Sequence, residues 1–172
     1  MLGSSNGGSR VCVISSNIMI GIKIKGARSN RRLYALIKNA ALFYLKTLCP
    51  RIRNMQLQIE IVDDLSETER VHGDCCQCGV NDPEVDYVIR LNRNESYHFM
   101  LTILAHEMVH LKQYVRRELV LYSGDSLGAR WKGVYCSEYN YNSAPWEKEA
   151  DERELELYMA FFENCSLLRG YK

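Results

Sequence analysis

Ala105-His106-Glu107-Met108-Val109-His110 sets two histidines four residues apart, with a glutamate directly after the first. On an α-helix, positions four apart lie one turn from each other on a single face, so both imidazoles reach the same point in space. Two neutral imidazoles converging in this way suit a tetrahedral zinc, and the carboxylate between them is placed to act as a base towards a water there. The pattern is HExxH, and it is short enough that its surroundings must decide its meaning. The bland alternative is a pair of hydrogen-bonded core histidines with Glu107 as a solvated charge.

The surroundings favour a metal. Residues 96–117 contain neither Gly nor Pro, and Leu101, Leu104, Met108, Leu111 and Val115 recur at steps of three and four, the buried stripe of a helix. A third ligand has to come from elsewhere. All four histidines (His72, His98, His106, His110) stand at or before position 110, so a later histidine is excluded and carboxylates or Cys136 remain. Pro145-Trp146-Glu147-Lys148-Glu149-Ala150-Asp151 reads as the start of a last helix, with proline and acids in its first turn. Glu147 and Asp151 share a face, so Glu147 is the expected third ligand and Asp151 is expected to orient a histidine from behind. Glu149 takes over as ligand if the helix register is shifted by half a turn.

With His106, Glu107, His110, Glu147, Ala150 and Asp151 in this order, residues 85–160 resemble the gluzincin-type metallopeptidases, which follow HExxH with a glutamate in an ExxxD or ExxA(D/N) context. Small peptidases of the ImmA/IrrE kind and peptidase-like proteins of bacteriophages are similar. SprT-like proteases are similar up to the first metal helix but use a third histidine that this chain lacks. The resemblance implies a zinc-dependent endopeptidase acting on polypeptides, with one Zn2+ per chain on His106, His110 and Glu147 and with Glu107 as general base. It also implies that the strand just upstream of the metal helix, here residues 85–91, lines the cleft and pairs with extended substrate. The other reading of those residues is an ordinary internal strand.

The elements that must position these residues are readable from periodicity. Ile18, Ile20, Ile22 and Ile24 alternate as a strand, residues 29–48 form a helix with Ser29 or Asn30 as cap and Pro50 beyond its end, and Met55, Leu57, Ile59 and Ile61 alternate as a second strand. Val85, Tyr87, Ile89 and Leu91 make a third. The expected fold is α+β and zincin-like: a small mixed sheet packed against the HExxH helix and a second metal-ligand helix. Residues 118–145 show no clear period, yet Tyr122, Trp131, Tyr135, Tyr139 and Tyr141 argue for a packed lid or wall. Tyr139 and Tyr141 are candidate oxyanion donors there, against a plain packing role.

A chain of 172 residues with 47% apolar residues is expected to be one domain, 11–172, behind a flexible Gly/Ser-rich lead-in at 1–10. No apolar run approaches the roughly 20 residues of a membrane helix, and the lead-in lacks the apolar core of a signal peptide. The expected location is the cytoplasm, that of the host if a virus encodes the chain. Seven cysteines then read as reduced thiols. Cys75, Cys76 and Cys78, near His72 and Asp74, form a loop cluster that fits no standard zinc finger, with a second metal as the alternative to plain thiols. Cys12, Cys49 and Cys165 read as core.

Charge is lopsided. Residues 1–53 hold ten Lys/Arg and no acid, whereas the rest holds 12 basic and 21 acidic residues, a net −9. The basic half either solvates itself and pairs in cis or contacts nucleic acid. Two competing functions follow. One is a non-catalytic zinc-bound structural or binding protein, its site closed by Cys136 or Glu149 as fourth ligand. The other is a nucleic-acid-associated module.

Overall fold

The computed structural model describes residues 19–27, 30–63, 65, 72–77, 84–122, 128–137, 140 and 143–166. Among these residues are three helices and two sheets in an α+β arrangement. Strand β1 (Met19–Lys25) is followed by α1 (Arg31–Leu48), β2 (Asn54–Val62), β3 (Gly73–Gln77), β4 (Tyr87–Asn92) and α2 (Tyr97–Val115). Then come β5 (Leu119–Tyr122), β6 (Gly128–Trp131), β7 (Val134–Cys136) and α3 (Pro145–Asn164). No described helix is long and apolar enough to cross a membrane.

The first sheet has the order β1-β2-β4-β3, with β1, β2 and β4 parallel and β3 antiparallel to β4. Alternation along each strand divides its faces. Ile24, Met55, Leu57, Ile59, Ile61, Ile89 and Leu91 are buried in one core with the inner sides of the three helices. On the other face one cross-strand row carries alternating charge: Lys25 opposes Glu60, Glu60 opposes Arg90, and Arg90 opposes Asp74. Lys25 pairs with Glu60 at 3.2 Å and Arg90 binds Asp74 through two nitrogens. A basic residue of the N-terminal half is thus neutralised in cis.

Helix α1 starts where Asn30 accepts a hydrogen bond from the Leu33 amide at 3.0 Å, an N-cap that the sequence signals. Helix α2, capped by Ser96, is covered on nearly every side, with twelve of its nineteen residues buried. Its far end closes with Arg117 N–H bonded to Tyr114 O at 2.9 Å and Glu118 N–H to Gln113 O at 2.8 Å. That is a Schellman ending, and the left-handed position, usually glycine, is Arg117 at φ 55°.

Two regions depart from what the sequence suggests. Residues 75–77 belong to a strand and not to a loop, and β4 lies between β2 and β3, so residues 85–91 present no free edge. The outermost strand beside α2 is β3. Gly73 lets it come close: a Cβ there would stand 2.4 Å from Ile103 Cγ2. The second departure concerns residues 118–145, which contain a three-stranded antiparallel sheet, β5-β6-β7. Its second hairpin turns through Lys132 and Gly133, both at positive φ, the twist that a two-residue turn needs. Three- and four-residue strands are too short for a two-residue period to stand out. Leu119 and Ala129 of this sheet pack with Ala144, Trp146, Tyr114 and Trp131 in a small core of their own.

Candidate metal centre

One turn of α2 and the first turn of α3 supply three donors that meet. His106 Nε2 and His110 Nε2 lie 3.1 Å apart, and Glu147 Oε2 stands 3.5 Å from the first and 3.4 Å from the second. Four ligands arranged tetrahedrally about 2.0–2.1 Å from a zinc ion are separated by about 3.3–3.4 Å. The triangle therefore has the dimensions of one face of such a site. His106, His110 and Glu147 form one of the two described groups able to hold a metal ion.

The other ring nitrogens face away from the triangle and are engaged. His110 Nδ1 donates to Gln113 Oε1 at 2.9 Å. Gln113 is oriented by its own amide, which donates to the Trp146 carbonyl and to Glu149 Oε2, both at 2.9 Å. His106 Nδ1 donates to Glu154 Oε2 at 2.9 Å. Both imidazoles are thereby held in the tautomer that leaves Nε2 for a metal. The three donors and their supports fit a metal ion as a group.

Placed on this geometry, the sequence candidates separate. Asp151 reaches only to 3.5 Å from His106 Nδ1 and its side chain is 66% exposed, so Glu154, one turn further along α3, makes the closer bond. Helical spacing gives the signal for Glu154, which is seven residues after Glu147 and so on the same face. Glu149 points elsewhere: it accepts from Gln113 and from Lys112 at 2.9 Å, and Lys112, 3% exposed, is also bound by Glu118 at 2.6 Å. Glu149, the half-turn alternative, is thus half-buried in an ion pair with Lys112 and not among the donors of the triangle. Tyr139, Tyr141, Cys12 and Cys78 lie outside the described residues. Cys49 and Cys165 are buried and Cys136 is on β7, while His72 pairs with Glu95 at 2.7 Å. Among the described residues, Cys75, Cys76 and His72 belong to neither metal-capable group.

Electrostatics agree with the geometry. Burial lifts the Glu107 carboxyl to about 7, with Asp74 and Glu147 adding to the rise while His110 and His106 oppose it. A carboxyl at that value exchanges protons near neutrality. Burial alone would lift Glu147, but hydrogen bonds with His106 and His110 hold it down at about 2. Burial disfavours a charged His106, yet its bonds to Glu147 and Glu154 bring it up to about 10. His110 is shifted upwards as well, for the same kind of reason.

A small cleft of about 180 Å³ opens onto Glu107, His110 and Glu147, walled by Asp74 and Cys75 of β3 and by Leu119 and Leu121 of β5. Tyr114 lines it too, a residue that sequence reasoning passed over although it follows His110 by four positions. Compared with protein-family models, with curated proteins and with solved structures, the chain matches none.

Proposed function

We propose that this protein is a zinc-dependent endopeptidase with a zincin-like fold. The observation that carries the reading is the 3.1–3.5 Å triangle of His106, His110 and Glu147 with Glu107 buried beside it. When bound there, zinc would polarise a peptide carbonyl and bring a water to near-neutral acidity. Glu107, buried and facing the same cleft as His110 and Glu147, takes the proton of the attacking water and returns it to the leaving amine. Gln113 and Glu154 keep the two imidazoles aligned through the cycle. The side of β3 that no other described strand covers, beside Glu107, offers backbone groups on which an extended polypeptide can lie.

The non-catalytic alternative gains no support from the two side chains nominated as its fourth ligand. Glu149 is held by Lys112 and Gln113, and Cys136 is outside the donor group. A buried carboxyl that lines the same cleft as His110 and Glu147 favours a base over a purely structural site.

The test is Glu107→Gln, assayed by elemental analysis and by cleavage of a proteome-derived peptide library. The expected variant is folded, keeps one zinc per chain and loses about 10²–10⁴-fold in turnover. Loss of the metal in a folded Glu107→Gln protein, or unchanged cleavage, would refute the role of Glu107.

A further inference from the structure

The cleft at the triangle does not end there. It shares Cys75, Tyr114, Leu119 and Leu121 with a larger groove of about 920 Å³ that runs on to Gln77, Arg117 and Arg130. The two walls of this groove are both outer strands of their sheets, β3 of the first and β5 of the second. Each wall presents one backbone side that no other described strand covers.

The groove changes charge along its length. At the triangle end stand Glu107, Glu147 and Asp74, the last bound to Arg90. At the far end stand Arg117 and Arg130, both exposed, and no ion pair joins either guanidinium to another described residue. The neighbouring acid, Glu118, is already bound to Lys112 and lies within 3.8 Å of Arg116. Arg117 is held in place by the Schellman ending of α2, which fixes where its side chain leaves the backbone.

We infer that this groove selects an extended polypeptide segment carrying an acidic side chain, received by Arg117 and Arg130 three or four residues from the bond that lies beside Glu107. The spacing follows from β3 itself. Gly73 sits next to the Glu107 carboxylate and Gln77 at the arginine end, four residues on, and a strand advances about 3.3 Å per residue. A segment paired along β3 places its side chains at the same intervals, alternating between the faces. As a statement about substrate this rests on the peptidase reading, but the groove can be tested for binding alone.

The probes are three fluorescein-labelled decapeptides, identical except for Glu, Gln or Lys at alternate positions. Binding to the full-length, zinc-loaded Glu107→Gln protein is read by fluorescence anisotropy at low and moderate salt. The Glu peptide is expected to bind about five- to tenfold more tightly than the Gln peptide, with the Lys peptide weakest and the preference shrinking as salt rises. In the Arg117→Gly/Arg130→Ala variant the preference should fall below about twofold, and Arg117→Lys/Arg130→Lys should restore most of it. Equal binding of the three peptides, binding of none, or a preference untouched by the double substitution would overturn the inference. Selective binding with cleavage absent from the wild-type protein would leave the groove standing and remove the peptidase reading instead.

Discussion

The two helices that supply the donors are held in opposite ways. Helix α2 is buried along most of its length, with His110 among its buried residues and His106 half-buried on the same face. Helix α3 buries only Trp146, Glu147, Ala150, Leu157 and Phe161 among its twenty residues, and its N-cap, Ala144, offers no side-chain hydrogen bond. Its first turn is fastened locally, by Trp146 in the small second core and by the Gln113 amide on the Trp146 carbonyl. Two ligands therefore depend on global stability and the third on a local fastening. The lesson is that a metal site can be half rigid and half conditional, with the conditional half resting on the most irregular part of the chain.

The largest effects should expose this contrast. Met108→Ala, on the buried face of α2, is expected to cost about 2–5 kcal/mol of stability while the folded protein keeps its zinc affinity. Trp146→Ala removes the centre of the small core and should cost metal affinity out of proportion to global stability. Thermal unfolding and zinc titration of both variants decide the matter; equal losses of affinity in the two would erase the distinction. Next in size come the supports of the histidines. Gln113→Leu and Glu154→Ala should each weaken zinc binding by about 10–100-fold. Asp151→Ala should do less than Glu154→Ala, since the Asp151 carboxylate is further from His106 and mostly in solvent.

The metal-free protein offers a smaller, pH-dependent test. His106 is raised to about 10 from its ordinary 6.5, so its contribution is fully present below about 6.5 and is lost as pH rises through about 10. Glu147 is lowered to about 2 from 4.5, so its contribution is present above about 4.5 and is lost as pH falls towards 2. Glu107 is raised to about 7, so its ionisation opposes folding increasingly between about 4.5 and 7. Stability of the metal-free form should thus be greatest near about pH 4.5 and fall as pH rises from there, first through Glu107 and then through His106, whereas zinc affinity should rise with pH because the imidazoles must lose protons to bind. Denaturant titrations across pH 3–10, with and without chelator, would show the two trends diverging; parallel trends would contradict the coupling. The smallest effect expected is a gain. Arg117→Gly relieves a left-handed backbone position and should stabilise by up to about 1 kcal/mol.

What could be read in the sequence follows from how each part announces itself. The metal helix carries its own periodicity and a motif whose spacing is set by a single helical turn, so His106, Glu107 and His110 needed no tertiary information. Glu147 was reachable because proline and acids mark a helix start. Glu154 and Gln113 were not assigned, because what matters about them is which neighbour they touch across a helix interface, and three- and seven-residue spacings on polar faces are common. Strand β3 was hidden by its composition: Gly73, Asp74, Cys75 and Cys76 look like a loop, and glycine is there because α2 approaches closely. The second sheet was hidden by short strands, and with it the wall of the groove and the fastening of α3.

The most direct test of the whole account is metal stoichiometry by elemental analysis on the purified full chain, beside Glu147→Ala and Glu149→Ala. One zinc per chain in the wild type, kept without Glu149 and lost without Glu147, is the expected result. A folded wild-type protein that takes up no metal when zinc is supplied, or one whose zinc survives removal of Glu147, would contradict the triangle on which the account is built.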